Sequence, residues 1–346
     1  MPESAAPFAA RLIRWQRQRG RHDLPWQNTR DAYRIWLSEI MLQQTQVATV
    51  IPYYQRFLER FPNVEALAAA PVEAVLEHWA GLGYYARARN LHRCAQVVVE
   101  RHGGRFPADP LALAALPGVG RSTAAAIAAF AFGVRAAILD GNVKRVLARC
   151  FGVEGFPGSA AVEKDLWRLA ESLLPEAQIE AYTQGIMDLG ATLCSRANPA
   201  CAECPMSDIC IARRDGRQAE LPVAKPGKAL PRCETSMLVL IDGDRVLLER
   251  RPPAGIWGGL LALPEAAVEE AGSFAVRRGC RLMETNVLPS VQHSFSHFHL
   301  TIRPLLCRVE RDSGQVEESG WEWLAIERIG SAALPAPLKR LLSEAF

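Results

Sequence analysis

Four cysteines, Cys194, Cys201, Cys204 and Cys210, fall within 17 residues at the spacing C-x6-C-x2-C-x5-C. Thiols this close, in a chain with no secretion signal, point to metal ligation rather than to two disulfides. Their spacing fits either zinc or an iron–sulfur cluster. The other five cysteines are scattered among apolar neighbours and read as packed thiols. Two carboxylates also stand out. Glu39 sits inside the apolar helical run Trp36–Leu42, where burial would raise its pKa and let it act as a general acid; its bland role is a marginal carboxylate paired with Arg34. Asp140 follows the apolar run 136–139 and precedes a helix, so it is placed to cap that helix. A Glu acid and a separate Asp carboxylate are also the pair used to break a glycosidic bond through an oxocarbenium-like transition state. A further signal is Leu116-Pro117-Gly118-Val119-Gly120-Arg121-Ser122-Thr123, set between two helical runs. Glycines let the backbone approach a phosphate closely, and the amides that open the second helix point at it.

The elements that must position these groups divide the 346 residues into two domains. From residue 8 to about 193 the apolar spacing is helical, with runs at Val72–Trp79, Tyr84–Val99, Arg121–Phe130 and Val162–Leu174 and breaks at Pro and Gly. Residues 1–212 are expected to form this mostly α domain, including the cysteine loop 194–210. Residues 213–232, mixing Pro222, Pro226, Gly227 and Pro231 with Arg and Lys, read as a linker. Residues 233–346 change to an alternating period. Thr235–Ile241 and Arg245–Glu249 form a hairpin about Asp242–Asp244, further strands fit His299–Arg308 and Trp321–Ala325, and helices fit Glu265–Arg277 and Pro337–Glu344. That is an α+β domain.

Charge is as uneven as the cysteines. Residues 1–150 hold 19 Lys/Arg against 11 Asp/Glu, residues 151–220 hold 6 against 11, and residues 221–346 hold 15 of each. The net charge of +3 therefore hides a basic N-terminal part that suits a polyanion. No apolar run approaches the ~20 residues needed to span a bilayer. The Arg-rich start reads as a first helix rather than a transit peptide, and the chain is expected to be cytoplasmic, away from membranes and monomeric.

Together these motifs resemble the helix-hairpin-helix DNA glycosylases related to endonuclease III, and within them the MutY-type adenine DNA glycosylases. The resemblance is carried by Leu24-Pro25-Trp26, the run Trp36–Thr45, the run Gly81–Asn90, the Leu116–Ser122 turn, Leu139–Val143, the cysteine spacing and Phe295–His299, and it covers nearly the whole chain. It implies removal of adenine opposite 8-oxoguanine, or opposite guanine, from double-stranded DNA. Glu39 matches the acid that protonates the departing adenine, Asp140 the carboxylate that stabilises or captures the sugar cation, and Asn142 the residue that orients Asp140. Ser122 stands where relatives with lyase activity carry a Schiff-base lysine, which implies a monofunctional glycosylase. Gln44 and Tyr84 match wedge residues that hold the duplex once the adenine is flipped out, and Trp26, Gln27 and Leu42 match the base pocket. Gly118, Gly120 and Arg121 of the glycine turn are the candidate contacts to the DNA backbone, and the resemblance implies a 4Fe-4S cluster on the four cysteines. The C-terminal domain resembles a Nudix-like reader of 8-oxoguanine, with Phe295, Ser296 and His297 as its recognition loop. Its metal-binding box is incomplete around Glu269-Glu270, so nucleotide hydrolysis is not expected. Two alternatives are an endonuclease III-like glycosylase for oxidised pyrimidines, which Ser122 and the extra domain disfavour, and a non-catalytic damage binder, which the paired carboxylates disfavour.

Overall fold

The computed structural model describes residues 5–225, 227, 229–252, 255–311 and 320–346. Among them, twelve helices precede the first strand: α1 (Ala5–Arg19), α2 (Ala32–Leu42), α3 (Val47–Arg60), α4 (Val64–Ala69), α5 (Val72–Trp79), α6 (Ala86–His102), α7 (Pro110–Ala114), α8 (Arg121–Phe132), α9 (Gly141–Phe151), α10 (Ala160–Ser172), α11 (Ile179–Thr192) and α12 (Ile211–Arg214). No helix among the described residues is long and apolar enough to cross a membrane. The chain forms two compact units, residues 1–69 with 90–227, and residues 70–89 with 228–346.

Aspartates start three helices of the first unit. Asp31 accepts the Tyr33 N–H at 2.9 Å, Asp109 the Ala112 N–H at 3.0 Å ahead of Pro110, and Asp140 the Val143 N–H at 2.8 Å. Each satisfies an amide that the helix leaves without a partner, worth on the order of 1 kcal/mol. Gly133 and Gly152 end α8 and α9 with left-handed backbone, φ 67° and 64°. Between these caps, α8 buries a nearly unbroken alanine face that lets α2, α7 and α11 pack closely on it. The core runs from Phe8 and Leu12 of α1 through Val146 and Leu147 of α9 to Tyr182 and Leu189 of α11.

Tyr84 departs from the expected helix over 84–99. Gly81 and Gly83 hold a turn that Tyr84 continues with φ 50°, so α6 starts only at Ala86. The expected linker is also partly ordered. Ile211–Arg214 is helical, Leu221 is buried, and its carbonyl accepts a bond from Arg149 Nε at 2.8 Å. Residues 226 and 228 of that stretch lie outside the described residues.

The second unit is built on a sheet of β1 (Arg232–Asp242), β2 (Arg245–Arg250), β3 (Leu261–Ala262), β4 (Cys280–Val287), β5 (Val291–Ser294), β6 (His299–Arg311) and β7 (Trp321–Ala325), with α13 (Ala271–Arg277) and α14 (Ala336–Ala345). Strand order is β3-β2-β1-β6-β4, with β7 on β2 and β5 on β6, and β1 runs parallel to β6. Alternate residues of β1 feed opposite faces: Met237, Val239 and Ile241 pack with Leu338 and Leu341 of α14, while Leu238 and Leu240 pack with Phe274 and Ala275 of α13. This is the α+β arrangement that the alternating period predicts. The expected helix over 265–277 is instead a 3-10 turn, Val268–Glu270, followed by the short α13. Glu269 and Glu270 are exposed in that turn.

Candidate active site

Glu39, on α2, lines a cavity of the first unit together with Trp26, Gln27, Leu42 and Gln184. Burial, and secondarily the nearby Asp140 carboxylate, raises its pKa to about 8. Such a carboxyl keeps its proton near neutrality and can donate it. The cavity wall comes from the loop after α1. Trp26 is buried edge-on against Tyr54, ring centres 5.4 Å apart. Gln27 turns its amide back to the loop, donating to the Arg21 carbonyl and accepting from the Leu24 N–H, both at 3.1 Å. It braces the wall as well as lining it.

Asp140 does two jobs at once, since the cap that starts α9 also fixes its carboxylate. Burial raises its pKa, opposed by the hydrogen bonds it accepts from Val143 and Asn142 and by the charge of Arg145. Its surroundings are cross-braced. Ser122 Oγ accepts the Leu139 N–H at 2.9 Å, tying the residue before Asp140 to α8. Asn142 Oδ1 accepts from Arg145 Nη2 at 2.8 Å, and the same guanidinium donates to the Gly190 and Cys194 carbonyls, both at 2.7 Å. Gly190 is required there, because a Cβ on it would meet Asn142 Cβ at 2.6 Å.

Between α7 and α8, Gly118 has φ 76°, and a Cβ on it would meet Asn90 Cβ at 2.7 Å. Gly120 caps α8 without a side-chain acceptor, which leaves the first amides of the helix open to an anion. Arg121 is engaged within the chain, paired with Glu171 and lying 3.8 Å over the Trp167 ring.

Backbone strain marks the same places. Five described non-glycine residues have left-handed backbone: Asn28, Gln44, Tyr84, Gln178 and Trp257. Bulky residues adopt this conformation rarely, and such strain gathers at functional sites. Gln44 and Tyr84 are the expected wedge residues and both are exposed. Asn28 lines the Glu39 cavity. Trp257, which sequence reasoning missed, packs its ring 5.8 Å from Phe295. Phe295 stacks on Phe298 at 4.6 Å, leaving Ser296 and His297 exposed at the tip between β5 and β6. Arg21, Gln184 and Asp188 were missed too. Asp188 is wholly buried and accepts from Arg21 N, Arg21 Nε and Gln184 Nε2 at 2.9, 2.7 and 2.9 Å. A carboxylate in the apolar run Ile186–Leu189 is the pattern that singled out Glu39, so the signal was present.

Cys194, Cys201, Cys204 and Cys210 line one cavity with Arg149 and Gln218. Among the described residues no three Cys, His, Asp or Glu side chains converge on a single ion. Four thiols around one cavity could hold either a zinc ion or an iron–sulfur cluster. Arg149, itself buried, donates to Cys194 Sγ at 3.4 Å and to the Ser195 and Arg196 carbonyls at 2.6 and 3.0 Å, placing a cation beside the thiols.

Residues 37–172 match the HhH-GPD superfamily of base excision DNA repair proteins, and residues 236–344 match the NUDIX domain. An adenine DNA glycosylase of Buchnera aphidicola (Acyrthosiphon pisum) is 35% identical over 97% of this chain and 96% of its own. The Homo sapiens adenine DNA glycosylase is 34% identical over 96% of this chain and 73% of its own. Among solved structures, a thermostable thymine-DNA glycosylase is 33% identical over 62% of this chain and 98% of its own, with a TM-score of 0.56. The chain thus belongs to the adenine DNA glycosylases of the helix-hairpin-helix superfamily, DNA-repair enzymes that hydrolyse N-glycosyl bonds.

Proposed function

We propose that this chain, acting as a cytoplasmic monomer, removes adenine paired with 8-oxoguanine, or with guanine, from duplex DNA. One observation carries the reading: Glu39, its pKa raised to about 8 by burial and by the nearby Asp140 carboxylate, lines a cavity with Trp26, Gln27 and Leu42. The flipped adenine enters between Trp26, Gln27 and Leu42, while Gln44 and Tyr84 hold the gap it leaves. Glu39 gives its proton to a ring nitrogen of the adenine as the bond from that base to the sugar C1′ breaks and its electron pair leaves with the base. Asp140, held by its cap and by Asn142, stabilises the sugar cation. Water adds to C1′ and gives up a proton. Ser122 has no amine to form an imine, so the strand is left uncut.

Opposite the flipped base, Phe295, Ser296 and His297 read 8-oxoguanine. Gly118, Gly120 and Arg121 lie against the backbone phosphates; Arg121 reaches them by exchanging Glu171 for phosphate. Cys194, Cys201, Cys204 and Cys210 would hold a 4Fe-4S cluster, which cross-links the loop 194–210 and takes no part in base release.

The test is single-turnover adenine release by full-length, cluster-loaded protein on A:8-oxoguanine and A:G duplexes. Release without strand nicking, faster on A:8-oxoguanine, is expected. No adenine release, or nicking of a thymine glycol duplex instead, overturns the reading.

A further inference from the structure

The segment that carries Tyr84 belongs to the same compact unit as the Nudix-like sheet, because residues 70–89 pack with residues 228–346. Its turn is stapled from within. Trp79 Nε1 donates to the Gly83 carbonyl at 3.1 Å, and Arg87 Nη2 donates to the Leu82 and Gly83 carbonyls at 3.1 and 3.2 Å. Two residues on, half-buried Arg89 points its Nη1 at the carbonyl of Gly258, in the loop between β2 and β3. Leu76 of α5 and the Arg89 stem lie against Gly259 next door, 3.6 and 3.9 Å from where its Cβ would stand.

That loop is wound so that the Gly258 carbonyl faces Arg89. Gly259 N–H bonds back to the Arg251 carbonyl at 3.1 Å and Leu260 N–H to the Trp257 carbonyl at 3.0 Å, which keeps Trp257 at φ 57°. Held there, the Trp257 ring lies 5.8 Å from Phe295 and 6.4 Å from His293. Phe295 leads directly into the exposed Ser296 tip, and its own N–H closes the tip by bonding to the Phe298 carbonyl at 2.9 Å. A continuous run of contacts therefore joins the Tyr84 turn to the Ser296 loop.

We propose that Arg89 and Trp257 are positioning residues for lesion recognition, which couple the Tyr84 wedge to the Ser296 loop so that both address the oxidised guanine together. Arg89 suits the task because its planar, permanently charged fork holds a neutral carbonyl in a fixed direction, where a lysine would supply a point charge on a mobile stem. Trp257 packs its ring against Phe295 at a tilt of 47°, and its strained backbone persists because the Arg89–Gly258 bond and the loop bonds overdetermine it. Neither side chain lines the Glu39 cavity, so the link governs the choice of opposite base. The proposal rests on the reading of this chain as specific for 8-oxoguanine.

The experiment is single-turnover adenine release by cluster-loaded, full-length protein on A:8-oxoguanine and A:G duplexes. It compares the parent with Arg89→Met, Arg89→Lys, Trp257→Ala and the double variant Arg89→Met/Trp257→Ala. Arg89→Met is expected to cut the preference for A:8-oxoguanine about tenfold, the scale of one charged hydrogen bond, and to leave the A:G rate within about twofold. Arg89→Lys should recover part of the preference. The double variant should lose no more than the worse single one, because both residues serve one link. A purely structural role would instead lower both rates and the melting temperature together, and that result overturns the proposal. So do single variants with parental preference, or additive losses. A parent with no preference for A:8-oxoguanine would defeat the lesion-reading assignment itself and the link with it. Should Arg89→Met fail to fold, Trp257→Ala against Trp257→Phe applies the same ratio test from the other end.

Discussion

The carboxylate site of the helical unit and the Ser296 loop of the sheet unit are built on opposite principles. Glu39 and Asp140 are shielded from water, with Asp140 fixed by a helix cap, the Ser122 hydroxyl tie at Leu139 and the Arg145 braces around Asn142. Ser296 and His297 stand exposed on a tip supported from beneath by stacked rings. The difference follows from what each must do. A proton donor needs its pKa moved by desolvation, which requires burial, whereas a reader of a base edge needs free donors and acceptors, which requires exposure. Breaking the two sites should therefore give different signatures.

The largest effect belongs to the buried site. Glu39→Gln should slow adenine release from either duplex by about 10²–10⁴-fold, the range for losing a positioned acid, in single-turnover assays. In the parent, the rate should fall as pH rises through about 8, because only protonated Glu39 can donate. A rate that is flat from pH 6 to 9 would remove Glu39 from that role. Next comes the brace. Gly190→Ala drives a methyl into Asn142 at the start of α9, and should cost about 1–3 kcal/mol by denaturant melts while slowing both duplexes together. Smaller still is the exposed tip. Ser296→Ala should reduce the preference for A:8-oxoguanine about tenfold, the scale of one hydrogen bond, with the A:G rate and the melting point unchanged. Equal losses on both duplexes would mean that the tip does not read the lesion.

What could be read from the sequence divides along the same line. Helical period and apolar neighbours exposed Glu39, and the position of Asp140 before a helix gave its cap role, since both depend on local pattern. β1, β2, β6 and β7 were legible from alternation. β4 was not, because most of it faces solvent and Arg281, Glu284 and exposed Met283 blur its period. Trp257 and Arg89 were illegible for another reason. Their significance lies in a left-handed φ and in one bond between residues 169 apart in the chain, which no local period reports. The inclusion of residues 70–89 in the second unit is likewise a tertiary fact, hidden because the helical spacing on either side of them is the same.

The mildest prediction separates the two regions by stability rather than rate. Glu39 has its folded pKa raised from 4.5 to about 8, so the folded state holds a proton that the unfolded chain releases over that interval. The stability this group allows is fully present below about 4.5 and is lost as pH rises through about 8. Glu39→Gln carries no such charge and should match the parent near pH 4.5, then become progressively the more stable protein as pH rises toward 8.5. Ser296→Ala removes no titrating group and should track the parent at every pH. Urea melts of the three proteins across pH 4.5–8.5 measure this directly. A Glu39→Gln curve parallel to the parent would mean that the carboxyl is hydrated enough to ionise freely, and the contrast between a buried acid and an exposed reader would fail at its first member.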